Sequence, residues 1–175
     1  MRTRLVEVDD AAAIREIYNV EIGEASVTFD LVARSAEDQL EWIDRHRGAH
    51  AVLVAVAEPD EGDADLPRGA AGDAVLGFAS LSPFRERPAY ATTVEDSVYV
   101  HRRARGRGVG RRLLEDLLVA ARDAGFHAVI ARIISTNEGS IRLHRTCGFE
   151  HVGVEHEVGR KHGRWLDVVE LERLL

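Results

Sequence analysis

The stretch RARGRGVGRRLLEDLL, residues 103–118, joins a glycine-arginine loop to the start of an apolar helical pattern. Glycines stand at 106, 108 and 110, and leucines at 113, 114, 117 and 118 recur at the spacing of one helix face. A loop that ends at a helix N-terminus offers backbone N–H groups and the positive end of the helix dipole to a phosphate. Glycine permits close approach of the backbone, and arginine adds charge-assisted hydrogen bonds. The stretch therefore predicts a pyrophosphate cradle.

Length and charge limit the class of protein. The chain has 175 residues and a formal net charge of −7, so we expect a single domain over residues 1–175 with its own core. A nucleic-acid binder needs an extended basic surface, and the net acidity argues against one. We find no apolar signal-peptide core or membrane-span pattern, and one cysteine suits a reducing compartment. We therefore expect a cytoplasmic protein that binds neither nucleic acid nor membrane.

Helices and short strands are predicted before the loop. Asp9 or Asp10 is expected to cap a first helix, whose inward residues are Ala13, Ile14, Ile17 and Tyr18. Ser35 is expected to cap a second helix, with Leu40, Trp42 and Ile43 turned inward. Two runs rich in β-branched residues, 50–58 and 74–82, read as paired strands. The acidic, Gly/Pro-rich segment 58–73 is predicted as a flexible hairpin loop between them.

The second half of the chain continues this alternation. A strand over 92–100 leads into the loop, and the helix after it is expected to stop at Gly125. A strand, a shorter helix and two late strands follow. The order predicts an α/β (α+β) fold with one mixed, mainly antiparallel sheet flanked by about four helices.

Three phosphate-binding loops can be compared with this one. A Walker loop needs Lys-Ser/Thr after its last glycine, but Arg111 and Arg112 follow Gly110. A dinucleotide fingerprint needs an early βαβ unit and a glycine in place of Arg111. The pattern present is Arg-x-x-Gly-x-Gly at Arg105, Gly108 and Gly110, which resembles the coenzyme A loop of the GCN5-related N-acetyltransferases (GNAT). A solvated, arginine-rich turn before an amphipathic helix is the alternative.

Other segments strengthen the resemblance. NEGSIRLHRTCGF (137–149) is similar to the segment that completes the cofactor groove in that family, and VEDSVYV (94–100) to the splayed strand before the loop. YNVEIGEASVTF (18–29) and KHGRWLDVVELE (161–172) resemble the phosphinothricin and methionine sulfone/sulfoximine acetyltransferase branch. The resemblance implies a GNAT fold, acetyl-CoA as co-substrate, no metal, direct acetyl transfer to a small α-amine, and a homodimer.

The family pattern also implies the roles of individual residues. Glu95 is the candidate base for the amine proton, because the attacking nitrogen must be neutral; a carboxylate that binds the ammonium or faces solvent is the alternative. Asp96 is expected on the opposite face of the strand and is the weaker candidate. His144 stands where many relatives have a tyrosine proton donor and is a candidate donor to the thiolate; a structural helix histidine is equally compatible. An acyl-Cys147 route is disfavoured, since no activating base is paired with it.

Two further sets complete the expected site. By resemblance, the cofactor contacts are backbone donors to the thioester oxygen and the pantetheine arm, residues that grip the pyrophosphate, and groups on the following helix: Val98, Tyr99, Val100, Arg105, Gly106, Arg107, Gly108, Val109, Gly110, Arg111, Asn137 and Thr146. Asn137 can also serve as a helix N-cap. The acceptor site is expected at Arg85, Arg87, Pro88, Ala89, Tyr90, Glu95, Asp96 and Ser97. Phe29, Trp42 and Trp165 are candidate pocket walls or plain core residues.

Several functions remain open on the sequence. The first is acetylation of an amino-acid-like compound of the phosphinothricin or methionine sulfone/sulfoximine type. A second is acetylation of another small amine or of a protein N-terminus. A non-catalytic acyl-CoA sensor is the third, and the presence of Glu95 beside a complete cofactor loop argues against it.

Overall fold

The computed structural model describes residues 1–24, 27–58 and 65–175. Within those ranges the chain forms one seven-stranded sheet with four α-helices. The strands are β1 (Arg2–Leu5), β2 (Val52–Val56), β3 (Val75–Pro83), β4 (Thr93–Val100), β5 (Ala128–Ile134), β6 (Glu150–Lys161) and β7 (Arg164–Leu174). The helices are α1 (Ala11–Glu24), α2 (Ala36–Arg45), α3 (Val109–Asp123) and α4 (Glu138–Thr146).

The sheet is mixed and mainly antiparallel, as the sequence predicts. Its strand order is β1-β2-β3-β4-β5-β7-β6. Every pair of neighbours is antiparallel except β4 and β5, which run parallel. This parallel pair covers only Thr93–Glu95 against Ala128–Ile130. The short pairing matters for the site, because the two strands separate beyond it.

Helices cover both faces of the sheet with the residues that the periodicity selects. Leucines 113, 114, 117 and 118 of α3 are all buried in the larger core cluster. Ala13, Ile14, Ile17 and Tyr18 of α1 are buried in the second cluster on the other face. Each fully buried leucine stabilises the fold by roughly 1.5–3 kcal/mol relative to an exposed one. The predicted inward faces of both helices are confirmed.

The predicted ends of α2 and α3 are confirmed, whereas one predicted inward residue of α2 is wrong. The Ser35 hydroxyl accepts a hydrogen bond from Asp38 N at 3.1 Å, so the predicted N-cap of α2 is confirmed. Gly125 adopts φ 85° just after α3, as a helix stop requires. Leu40 was predicted to face inward but is 45% exposed, whereas Gln39 is fully buried. The inward stripe follows Gln39 and Ile43, which are four residues apart, and Leu40 lies a rotation of about 100° away from Gln39.

The start of α1 also differs from the expectation. A 3-10 turn, Val8–Asp10, precedes the helix, and the box that caps this turn begins at Glu7. Asp10 accepts a hydrogen bond from Glu7 N at 2.8 Å and forms an ion pair with Arg4 at 2.7 Å. Asp10 therefore acts as a buried anchor between the N-terminal segment and the core, because ion pairing and several hydrogen bonds compensate its desolvation.

The predicted loop over 58–73 lies partly outside the described residues, at 59–64. The strands on either side, β2 and β3, pair antiparallel as a hairpin. In the described part of the loop, Leu66 and Ala70 are buried, and Val75 N donates to Pro67 O at 2.9 Å. This part packs on the core. In the portion of the chain that is described, no helix is long and apolar enough to cross a membrane.

Candidate active site

A cavity of about 520 Å³ opens where β4 and β5 separate. The strands pair as far as Glu95 and Ile130, and their later residues line the two walls of the gap. Most of the predicted cofactor residues meet here, together with two of the predicted acceptor residues and His144: Asp96, Ser97, Val98, Tyr99, Val100, Arg105, Gly106, Gly108, Val109, Gly110, Arg111, Asn137 and His144.

The glycine-arginine loop forms one end of this cavity. Gly106 and Gly108 adopt φ 73° and 80°, the left-handed region that favours glycine. The first hydrogen bond of α3 runs from Arg112 N to Gly108 O at 3.0 Å, so the N–H groups before Arg112 donate to no carbonyl of the helix. A Cβ added at Gly106 or Gly108 would meet nothing within 4 Å, so the backbone is open to a ligand. The loop fits a pyrophosphate.

The exposed edge of β4 forms the middle of the cavity. Val98, Tyr99 and Val100 pair with β3 on one side. Their other side faces the gap, where β4 and β5 no longer pair. An extended amide-containing chain can hydrogen-bond to such an edge as an added strand. The separated strands therefore offer the backbone groups that a pantetheine arm needs.

Asn137 closes the same cavity from the start of α4. Its Oδ1 accepts a hydrogen bond from Ser140 N at 3.2 Å, which is an N-cap contact. Its side chain also lies in the cavity wall. Helix capping therefore holds Asn137 in place beside the cavity, and its cofactor contact stays a prediction.

Asp96 and His144 form a buried pair at the cavity wall. His144 Nε2 lies 3.0 Å from Asp96 Oδ2, and their side chains are only 4% and 1% exposed. His144 Nδ1 lies 2.7 Å from Ser140 O, and because a carbonyl oxygen only accepts, Nδ1 carries a proton. Burial acts to lower the pKa of His144, but the charge and hydrogen bond of Asp96, with the bond to Ser140, raise it above its ordinary value.

This pairing bears on the predicted roles of both residues. Asp96 faces α4, opposite to Glu95, as strand alternation predicts, yet it is Asp96 that lies in the cavity wall. Both ring nitrogens of His144 contact protein atoms, so it can release the Nε2 proton only by giving up its contact with Asp96. Asp96 Oδ1 is buried and has no hydrogen-bond partner among the residues described. The role of His144 as a donor stays a prediction.

Glu95 lies at the point where the two strands separate. It pairs with Ile130 at the end of the parallel segment and with Ser82 of β3 on its other side. Burial raises the pKa of its carboxyl above the usual value, and the charge of Arg132 acts in the opposite direction. A raised pKa makes a carboxylate a stronger base near neutral pH. Glu95 thus lies outside the cavity lining, at the point where β4 and β5 separate, and its role as the base stays a prediction.

The remaining predicted residues lie outside the cavity lining. The segment before β4 includes a 3-10 turn, Pro88–Tyr90, and Arg85 stacks over the rings of Phe84 and Tyr90 at 4.7 and 5.5 Å. Thr146 was expected at the cofactor, but its hydroxyl donates to Leu143 O at 2.7 Å and it lines a separate groove. The predicted residues outside the cavity lining are Arg85, Arg87, Pro88, Ala89, Tyr90, Glu95, Arg107 and Thr146.

The three aromatic candidates and the cysteine also lie outside the cavity lining. Phe29 and Trp165 are 46% and 59% exposed, and Trp42 packs edge-on against Phe78 at 5.9 Å. None of the three lines the cavity. Cys147 is buried, and burial raises the pKa of its thiol, which disfavours the nucleophilic thiolate. This supports a direct transfer rather than an acyl-cysteine.

Two charged residues of the cavity were missed by the sequence reasoning. Glu21 of α1 contacts Arg105, and Arg132 of β5 lies in the opposite wall. Glu21 and Arg105 are 84 residues apart, so no local spacing could have paired them. Within the described part of the chain, no group of three His, Cys, Asp or Glu side chains could hold a metal ion.

Comparison with known proteins places this fold and cavity in a family. The family model described as "Acetyltransferase (GNAT) family" matches residues 14–149. The chain belongs to the GNAT family and is an acetyl-CoA-dependent N-acetyltransferase.

The chain resembles particular members along nearly its whole length. A phosphinothricin N-acetyltransferase of Streptomyces coelicolor is 39% identical over 95% of this chain and 92% of its own. An L-methionine sulfoximine/L-methionine sulfone acetyltransferase of Pseudomonas paraeruginosa is 38% identical over 92% and 87%. The crystal structure of a GNAT superfamily phosphinothricin acetyltransferase from Sinorhizobium meliloti in complex with acetyl-CoA matches with a TM-score of 0.87 and 35% identity over 99% of this chain and 88% of that one.

Proposed function

We propose that this N-acetyltransferase acetylates the α-amine of a small amino-acid-like substrate of the phosphinothricin, methionine sulfone or methionine sulfoximine type. The names of its relatives support this substrate class. The observation that carries the proposal is the separation of β4 and β5 at Glu95. It places a partly buried carboxylate next to a cavity whose far end is an anion cradle.

Acetyl-CoA, when bound, supplies the activated acetyl group. In our proposal the backbone N–H groups at Val109–Arg111 and the guanidinium groups of Arg105 and Arg111 hold the pyrophosphate, because a helix N-terminus and arginines both favour phosphate. The free edge of β4 over Val98–Val100 holds the pantetheine arm and donates to the thioester oxygen. Asn137 contributes a further hydrogen bond.

Glu95 is proposed to accept the proton of the substrate ammonium. Its pKa, raised by burial, makes it a stronger base than an ordinary carboxylate for the proton that the α-amine must lose. We propose that His144 keeps one proton on Nδ1 and that its raised pKa favours a second proton on Nε2, facing Asp96 Oδ2. We propose that this second proton is the one available to the thiolate of the departing coenzyme.

We propose that the acceptor amine binds beside Glu95, at the gap where β4 and β5 separate. Arg132 is a cation beside that carboxylate, and the Arg85–Tyr90 segment lies just before β4. Guanidinium groups suit the carboxylate and the phosphinate or sulfone oxygens of such substrates. In this proposal Arg132 faces the anionic groups of the substrate, whereas the acids that act on Glu95, which are Asp96, Glu155 and Glu170, suit its ammonium group.

An acceptor screen tests the proposed substrate class. Release of free CoA is measured with phosphinothricin, methionine sulfone, methionine sulfoximine, the standard L-amino acids and an Ala-terminated peptide. We expect the highest kcat/KM with one of the first three. A preference for the peptide would replace the proposal with protein N-terminal acetylation, and the absence of turnover with every amine would favour an acyl-CoA sensor.

The variant Glu95→Gln tests the proposed base. Removing a positioned general base costs typically about 10²–10⁴ in rate, so kcat should fall by that range while the Kd for CoA stays that of the wild type. The variant Glu170→Gln is the matched control, since Glu170 is another carboxylate in the electrostatic surroundings of Glu95. If Glu95→Gln retained wild-type turnover, Glu95 would not be the base.

We also propose a homodimer. The β6–β7 hairpin carries exposed apolar side chains at Val152, Val154, Val158 and Trp165, and β6 lies at the edge of the sheet. Contiguous exposed apolar groups on an edge strand favour association with another protein surface. Light scattering after size exclusion should give twice the chain mass of 19.4 kDa, and a monomer at all concentrations would contradict the proposal.

A further inference from the structure

Five arginines in and around the glycine-arginine loop form ion pairs with acids. Arg102 and Arg105 contact Glu21, Arg103 contacts Asp65, Arg111 contacts Glu115, and Arg112 contacts Asp116. Acids of α1, of α3 and of the segment before β3 therefore share the charge of these arginines.

Glu21 differs from the other acids in this set by its burial and position. Its side chain is 6% exposed, whereas Asp65, Glu115 and Asp116 are 62%, 45% and 29% exposed. Of the four, Glu21 is the one in the wall of the cavity. An exposed ion pair is screened by water and has little effect on a neighbouring ligand, while a buried charge acts through a lower effective dielectric.

Glu21 contacts the guanidinium group of Arg105 and holds it in place. Glu21 Oε1 lies 2.7 Å from Arg105 Nη2 and 3.3 Å from Arg102 Nε. Arg105 Nε also donates to Val100 O at 3.3 Å, at the end of the free edge of β4. Arg105 is thus held between α1 and β4, and a negative charge lies against it on the cavity side.

We infer that Glu21 is a cofactor-site residue that weakens the hold of the arginine loop on the coenzyme, so that product CoA can leave. The inference rests on the proposed binding of the pyrophosphate at this loop. A helix N-terminus with several arginines binds an anion tightly, and the product carries the same pyrophosphate as the substrate. Glu21 opposes that anion by direct repulsion and by sharing the charge of Arg105.

The test compares Glu21→Gln with Glu115→Gln in calorimetric titrations of the intact protein with CoA. Glutamine keeps an oxygen that can accept from Arg105 while the negative charge is removed. We expect Glu21→Gln to bind CoA about tenfold more tightly, as expected when one nearby buried charge stops opposing the ligand. Glu115→Gln should stay within about twofold of wild type, because its pair with Arg111 is exposed. The inhibition constant of product CoA should fall with the Kd of Glu21→Gln.

A double-mutant cycle with Arg105→Gln makes the test independent of a single variant. Because Glu21 shares the charge of Arg105, Arg105→Gln should weaken CoA binding less in the wild type than in the Glu21→Gln background, where the guanidinium acts on the ligand with its full charge. Wild-type or weaker affinity of Glu21→Gln, equal tightening by Glu115→Gln, or equal effects of Arg105→Gln in both backgrounds would each overturn the inference. Failure of the wild type itself to bind CoA would instead overturn the proposed cofactor site.

Discussion

Replacement of Asp96 by alanine should show how much the buried Asp96–His144 pair stabilises the fold. Both side chains are nearly inaccessible, at 1% and 4% exposure, and their polar atoms are 3.0 Å apart. Removing one partner of a buried pair leaves the other without compensation and costs about 3–5 kcal/mol. At about 2–4 °C per kcal/mol for a chain of this size, Tm should fall by about 6–20 °C at pH 6.

The cost should depend on pH in a definite direction. The pKa of His144 is raised in the folded protein, so the stability from this pair is complete below the unfolded value of about 6.5 and is lost as pH rises through the raised value. Above that value His144 is neutral with its proton on Nδ1, so Nε2 and the Asp96 carboxylate are both acceptors, and Asp96→Ala removes no hydrogen bond. Asp96→Ala should therefore be less damaging at pH 9 than at pH 6.

Urea unfolding at pH 6 and pH 9 measures both effects. Asp96→Asn is the conservative variant, because its amide can donate to Nε2 of a neutral His144; its stability should change less with pH than that of the wild type. His156→Ala is the matched control, since the His156–Asp167 pair is exposed, at 77% and 36%, and should contribute less than about 1 kcal/mol. A cost below about 1 kcal/mol for Asp96→Ala at pH 6, or an equal cost at both pH values, would refute the reasoning.

Two other variants test the loop and the core. Gly108→Ala should destabilise the fold by about 1–2 kcal/mol, because Gly108 has φ 80°, and should also weaken CoA binding. Gly125→Ala carries similar strain at φ 85° on the far end of α3 and should lose stability with an unchanged Kd for CoA; equal Kd values for both would show that the cradle is elsewhere. Leu113→Ala removes a fully buried side chain of α3 and should lower the free energy of unfolding by about 2–5 kcal/mol in urea, whereas Val119→Ala, 53% exposed on the same helix, should have little effect.

Local patterns accounted for the helices and strands because their causes are local. The apolar face of α3, the cap at Ser35 and the stop at Gly125 all depend on residues within a few positions of one another. The error at Leu40 has the opposite origin. Hydrophobicity favoured Leu40, but the packing of α2 beside α1 placed Gln39 inside.

The candidate site likewise has a part that local sequence predicts and a part that depends on contacts distant in sequence. The loop from Arg105 to Arg111 was readable because a cradle needs glycines next to a helix start, and both features are contiguous in sequence. The Asp96–His144 contact spans 48 residues and the Glu21–Arg105 contact spans 84. Neither pair has a spacing that a sequence motif could contain. Alternation correctly separated Glu95 from Asp96, but only the packing of α4 showed which face lines the cavity.

The sequence by itself predicted the class of ligand at one end of the candidate site, because glycine conformation, helix polarity and arginine chemistry act within a dozen residues. Only the tertiary structure decided which charged side chains meet in the candidate site. The separation of β4 from β5 opened the cavity, α4 brought His144 to Asp96, and α1 brought Glu21 to Arg105. Charges that are distant in sequence interact strongly only when folding brings them together and removes water from between them, and that is why those contacts could not be read from the chain.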